Sequence, residues 1–177
     1  MKRSFMYLAA AFSLAVFVSC ASSSVYKETA PAESLNKYTV IHVNNLTLDK
    51  SVWKDVGLKS EEEWAAVASG ANSEFQKSLR ENLPGKTVSF AEAGAKLPAK
   101  AELEITLSEG KIGRGYMFAI GPWGAIETTV TIKNVKSNTV VYQAVIEARK
   151  TNTFSLNDQM QGSAKKVAEN IAGVLNK

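Results

Sequence analysis

His42 is the only histidine of the chain, and it lies inside the β-branched run Tyr38-Thr-Val-Ile-His-Val-Asn44. An imidazole can take a proton from a serine or a water when a carboxylate orients it. No serine sits in a nucleophile-elbow context that would pair with it, so the sequence favours a histidine packed or hydrogen-bonded within a strand. Carboxylates offer a second possibility. Glu102 and Glu104 are two residues apart, which puts them on one face of a strand, and paired carboxylates can divide acid and base roles. A solvated strand face accounts for them as well. The run Glu61-Glu62-Glu63 is accounted for by the positive end of a helix. A zinc site needs three or four converging Cys, His or carboxylate ligands, and the chain has one His and one Cys. No catalytic residue, metal or cofactor is therefore expected.

Gly110, Gly113, Gly115, Gly121 and Gly124 punctuate a segment that also holds Tyr116, Phe118 and Trp123. They spell neither a phosphate loop nor a dinucleotide fingerprint. One reading makes this a bulged edge or loop whose aromatics fold onto the core. The other makes it an exposed apolar patch for a partner protein or the bilayer. In that case Arg114, Tyr116, Phe118 and Trp123 are the candidate partner surface, with Arg114 anchoring to a carboxylate or phosphate.

The single cysteine, Cys20, has a different context. Lys2 and Arg3 precede an apolar stretch from Phe5 to Val18, shorter than the roughly 20 residues a membrane span needs. A charged start, a short apolar centre and a small residue before the cut are the marks of a removable export signal. Phe17-Val18-Ser19-Cys20 resembles the lipobox of bacterial lipoproteins, with Phe17 departing from the usual Leu. The resemblance implies a signal peptide over residues 1–19 and lipidation of Cys20, with palmitate among the acyl chains. Two acyl chains hold a protein stably where one does not. Ala21-Ser22, without Asp, resembles the signal for delivery to the outer membrane, facing the periplasm.

Without Lys2 and Arg3 the chain keeps 19 basic against 17 acidic side chains. That balance, with no clustering of Lys and Arg, gives no footprint for nucleic acid. With Cys20 carrying lipid no disulfide can form, so the exported part must be stable through its core alone. Residues 20–37, rich in Ser, Ala, Glu and Pro, read as the acylated cysteine and a flexible tether of roughly 20–25 Å. Residues 38–177 are enough for one domain that buries about 70% of its unfolded surface.

Within that domain Tyr38–Asn44 reads as a strand, and Asn45–Lys59 has no clear pattern. Ser60-Glu-Glu-Glu63 has capping-box form. Trp64, Val67, Ala68, Ala71, Phe75 and Leu79 then make one apolar helical stripe that ends before Pro84-Gly85. Strands follow over Lys86–Phe90 and Ala101–Leu107. The alternating run from Ile126 to Lys133 turns at Lys136-Ser137-Asn138 into a return strand, Val140–Arg149. A last helix over Asn157–Asn176 carries Met160, Ala164, Val167, Ala168, Ile171 and Leu175 on one face. The predicted class is α/β of the α+β kind: a mixed, mostly antiparallel sheet with two helices packed on one face.

This order of elements, the lipobox cysteine, the Gly110-Lys-Ile-Gly-Arg-Gly115 stretch and the Ile126…Lys133-Asn-Val hairpin arm together resemble a family of bacterial lipoproteins known as a domain of unknown function. Its folds are similar to the amino-terminal domain of TolB and to the soluble part of the curli secretion lipoprotein. The resemblance implies no catalytic residue. The leading expectation is a non-enzymatic, lipid-anchored cell-envelope protein that binds or stabilises another envelope component. The alternatives are a cell-wall- or lipid-acting hydrolase with His42 as base, and, ranked last, a carrier of apolar ligands. Metabolic labelling with palmitate is expected to mark the wild-type chain and to fail on Cys20→Ser. An unlabelled wild-type chain would remove the anchor.

Overall fold

The computed structural model describes residues 21–29, 31, 33–117 and 121–177. The signal expected over residues 1–19, the acylation expected at Cys20, and Phe118 lie outside them. No helix among the described residues is long and apolar enough to cross a membrane.

Helix α1 runs Glu61–Glu81 because its start is chemically fixed. The Ser60 hydroxyl accepts the Glu63 N–H at 3.2 Å, and the Glu63 carboxylate accepts the Lys59 N–H at 2.7 Å. This is a capping box whose carboxylate reaches one residue further back than usual. Trp64, Val67, Ala71, Phe75 and Leu79 are all buried on one stripe. Helix α2 (Leu156–Leu175) is capped in the same way by Ser155, whose hydroxyl accepts the Asp158 N–H at 3.2 Å. Its predicted stripe, Met160 to Leu175, is buried throughout. The helices pack on each other closely enough that a Cβ at Gly70 would lie 2.9 Å from the Asn157 and Gln161 side chains.

The sheet has seven strands: β1 Ala21–Thr29, β2 Val40–Asn44, β3 Thr87–Ala91, β4 Leu103–Leu107, β5 Lys111–Met117, β6 Gly121–Asn134 and β7 Thr139–Thr151. Their order is β1-β7-β6-β4-β2-β3, with β5 also paired to β6. β2 is parallel to β3 and β4, and every other pair is antiparallel. This is the expected α+β class. Ile41, Val43, Leu103, Ile105, Ile126, Val130, Ile132, Ala144, Ile146 and Ala148 share one core with the two helical stripes. No helix of the described residues packs on the opposite sheet face. The β6–β7 turn closes with Asn138 at φ 58°, the left-handed conformation that asparagine tolerates.

Two expectations need correction. Ala21–Thr29 is not tether but strand β1, antiparallel to β7 from Ala21↔Lys150 to Tyr26↔Val145. Residues 21–29 therefore belong to the same sheet as the strands after residue 38. Beyond β1, Leu35 is wholly buried, so the connection to β2 is fixed at a second point. The described residues of the glycine-rich segment are paired strand, not loop, and their pairing has no bulge. Lys111–Met117 pairs in unbroken register with Gly121–Glu127, from Lys111↔Glu127 to Met117↔Gly121.

Gly124 is where α2 meets the sheet. The Ser163 hydroxyl donates to its carbonyl at 3.1 Å. A Cβ on Gly124 would stand 2.7 Å from the Gln159 Cβ and 2.8 Å from the Met160 methyl. The Gln159 Cβ is fixed by its helix and cannot rotate away. Gly124→Ala is expected to destabilise the protein by roughly 1–3 kcal/mol through overpacking, measurable as a lower urea midpoint. An unchanged midpoint would mean the helix rides higher on the sheet.

Candidate functional site

Register places the candidate residues on faces. Across the open face, Ser89, His42, Glu104 and Lys133 form one row over β3, β2, β4 and β6. His42 is 6% exposed, and its Nδ1 lies 3.0 Å from the Ser89 hydroxyl oxygen. Ser89 in turn donates to the Ile41 carbonyl at 3.4 Å. A hydroxyl has one proton. While that proton goes to Ile41, Nδ1–H must be the donor to Ser89, and a histidine donating there is not poised to deprotonate the serine. A depression of about 110 Å³ adjoins this row, lined in part by His42, Asn44, Glu92, Glu104 and Thr106.

Glu102 and Glu104 do not act as a pair. The Glu102 carboxylate turns to the start of β2 and accepts the N–H groups of Thr39 at 2.6 Å and Val40 at 3.0 Å. These backbone donors hold its carboxyl below the usual carboxylate range. Its role is to fasten a strand end.

Of the four residues expected to form a partner surface, the three described ones do not share one face of the sheet. Arg114 and Tyr116 lie on the helix side of β5, while Trp123 is on the open face, opposite Gly115. Phe118 falls outside the described residues. Arg114 is engaged internally: it donates to the Val56 carbonyl at 2.6 Å and to the Phe154 carbonyl at 2.9 Å. It ties two loops together instead of offering a free cation. Tyr116 is 65% exposed. Trp123 lies flat on its neighbour strand, since a Cβ at Gly115 would be 2.8 Å from the indole. The Arg149 guanidinium stands 4.4 Å from the ring centroid, and cation–π attraction holds it there.

Around Trp123 the open face gathers side chains that the sequence did not single out. Glu127 on β6 is directly opposite Glu147 on β7. Like charges facing each other across an antiparallel pair are destabilising, by an amount within the ~0.2–1 kcal/mol of such pairs. Each carboxylate has cationic or protic company. Tyr26 donates its hydroxyl to Glu127, Lys111 stands 3.9 Å from Glu127, and Arg149 is 2.9 Å from Glu147. The Tyr26 phenol is pushed up to about 12, first by that bond to Glu127 and then by desolvation and the nearby carboxylates. Two shallow depressions share Glu147. One, of about 240 Å³, is lined by residues including Lys111, Trp123 and Glu127; the other, of about 260 Å³, by Ser22, Ser24 and Arg149 among others. Alternation in β6 and β7 signals that Glu127 and Glu147 face outward. Only the register sets them opposite each other.

The site thus offers carboxylates, a guanidinium, an indole and hydroxyls on an open surface, which suits binding of polar or cationic groups. No cluster of three His, Cys, Asp or Glu side chains suited to a metal occurs among the described residues.

No protein-family profile and no functionally curated protein matches the chain. Among solved structures it is similar to PelC from Paraburkholderia phytofirmans, described as a dodecamer, with 14% identity over 84% of this chain and 96% of that one and a TM-score of 0.48. It is also similar to a DUF330 protein from Xanthomonas campestris, at 10% identity over 82% and 87% with a TM-score of 0.48. A minor lipoprotein from Acinetobacter baumannii shares 11% identity over 77% and 94%, with a TM-score of 0.39. Lipoproteins and a domain of unknown function therefore occur among its structural neighbours. Likeness at this level carries nothing about activity or partner.

The two N–H bonds to Glu102 set a pH dependence. A carboxyl whose acidity is strengthened by folding contributes stability above its unfolded range and loses it as pH falls through the folded value. Glu102→Gln is expected to lower the urea midpoint near pH 7 and to approach the wild-type value below about pH 3. A pH-independent gap would show that the carboxylate's charge does not matter.

Proposed function

We propose that the chain is a lipid-anchored protein of the bacterial cell envelope, attached through Cys20 at the outer membrane and facing the periplasm. Its role is non-enzymatic: it binds or stabilises another envelope component through the open face of the sheet. The Phe17–Cys20 resemblance to a lipobox supports the anchor. The order and pattern of the elements support kinship with the lipoprotein domain of unknown function and with the TolB amino-terminal fold.

One observation carries the binding role. Glu127 and Glu147 oppose each other in the middle of a face that no helix of the described residues covers. Tyr26, Lys111 and Arg149 offset part of the repulsion between them, whereas neutral side chains there would carry none, so the facing carboxylates suit a role in binding. A partner group with cationic character, seated between the two carboxylates above Trp123, would use it.

The hydrolase alternative rests on the Ser89–His42–Glu104 row. Against it stand the Ile41 carbonyl, a second acceptor for the Ser89 proton, and the burial of His42.

A photo-crosslinker at the exposed Gln143 position on the open face, in the full chain in native membranes, is expected to capture a reproducible partner. The double variant Glu127→Gln/Glu147→Gln is expected to lose that crosslink by about tenfold while being as stable as the wild type or slightly more so, because repulsion is removed. An undiminished crosslink in the double variant would overturn the role given to the pair.

A further inference from the structure

We infer that the end of the sheet where β1 begins is a membrane-contacting surface, with Tyr116 and Phe154 entering the lipid interface beside the anchor. This rests on acylation of Cys20 and adds to it an orientation and a second contact.

Register brings the relevant residues to one end of the molecule. Ala21 pairs with Lys150, Lys150 with Gly124, and Gly124 with Arg114, so these four residues form one row across β1, β7, β6 and β5. The next row outward contains Thr151, Trp123 and Gly115, and beyond it Pro122 faces Tyr116. Cys20 is bonded to Ala21, and consecutive Cα atoms are about 3.8 Å apart. Strands are spaced about 4.8 Å apart, so the row from β1 to β5 spans roughly 15 Å. The lipid-bearing residue therefore adjoins the end of the sheet where β5 finishes and β6 begins.

The most exposed large apolar side chains are also there. Phe154 is 77% exposed and Tyr116 65%. Arg114 joins them, since it neighbours Tyr116 on β5 and donates to the Phe154 carbonyl. Phe154 therefore projects from a fixed backbone. Aromatic side chains with an apolar body favour the headgroup level of a bilayer. Their position beside a diacylated residue commits them to lipid rather than to a distant partner. With β1 paired to β7 there is no leash to lift them away.

The test uses the full acylated chain in phosphatidylethanolamine/phosphatidylglycerol vesicles that carry doxyl-labelled lipid. Because Cys20 is the only cysteine and its sulfur carries lipid, Tyr116→Cys, Phe154→Cys and Lys136→Cys each provide one free thiol for a fluorophore. Lys136 lies in the β6–β7 turn, roughly 35–40 Å along β6 from Trp123. Quenching at 116 and 154 is expected to exceed that at 136 by about threefold or more. Equal quenching at all three sites, in chains that float with the vesicles, overturns the inference and leaves the anchor intact. Chains that do not float overturn the anchor and the inference with it. Shielding of 116 and 154 that needs native membranes and is absent in protein-free vesicles also overturns it, in favour of a protein partner.

Discussion

Strand β6 is fourteen residues long and pairs with β7 from Trp123 to Asn134, but on its other side it has two partners in succession. Val130 to Asn134 pairs with β4, and Gly121 to Glu127 pairs with β5. The change of partner is held by Ser108. Its carbonyl accepts the Thr128 hydroxyl at 2.8 Å and its hydroxyl accepts the Thr129 N–H at 2.8 Å. Gly110 comes next, so tightly placed that a Cβ would meet Ile126 at 3.0 Å. This handover lets half of β6 run past the β2–β3–β4 part of the sheet. The overhang needs its own cover on the helix side, which the first turns of α2 provide through Gln159, Met160 and Ser163 against Gly124. Without a glycine there, helix and overhang could not both keep their places.

The overhang also gives β1 something to pair with. β7 follows β6 out past the body of the sheet, and its outer edge would be an unpaired ladder inviting non-native association. β1 covers that edge. The chain then leaves at Lys27, with φ 52°, and the register breaks between Tyr26 and Thr29. Between there and β2 the chain is fastened repeatedly. Leu35 enters the core, Ser34 donates to the Lys177 carbonyl at 2.6 Å, and Asn134 donates to the Tyr38 hydroxyl at 2.7 Å. Glu33 bonds both Lys37 and Tyr38, and those donors keep its carboxyl more acidic than usual. From Ala21 to β2 the described path is therefore clamped at both ends, and its first strand is held to the body of the protein by backbone hydrogen bonds.

The two helices are legible in the sequence through their apolar stripes, and the first also through its cap. Ser60 and Ser155 act through short-range hydrogen bonds, and each apolar stripe has a single period. The β6–β7 hairpin is legible for the same reason at period two. β1 is not: Ser22-Ser-Ser24 has no apolar alternation, because one side of the strand faces the polar open surface and the other meets the α2 surface at Asn170, which bonds Ser23 at 2.8 Å. Edge strands of this kind are held by backbone pairing, which composition does not record. β5 is hidden by its glycines. Gly113 and Gly115 look like loop residues, yet they lack side chains because the Trp123 indole occupies that space. The site is illegible for a related reason. Tyr26, Glu127, Glu147 and Arg149 come from three strands, and nothing local says that Glu127 and Glu147 are partners.

That pairing also bears on how the open face behaves. Ion pairs open to solvent contribute little, roughly 0–1 kcal/mol, once screening and side-chain entropy are counted, and the half-exposed Glu147–Arg149 pair is screened in the same way. The cluster is therefore no stability device, and the core beneath it does not need one. What it fixes is position. Arg149 is held between a carboxylate and an indole, and Tyr26 stays protonated and donating to Glu127 over the whole neutral range. An incoming cationic group would meet two carboxylates already oriented by neighbours that are themselves positioned by paired strands, so little ordering remains to be done on binding. Pre-organisation of this kind depends on β1 through Tyr26 and on β5 through Lys111. The two strands least visible in the sequence therefore supply the groups that orient the face.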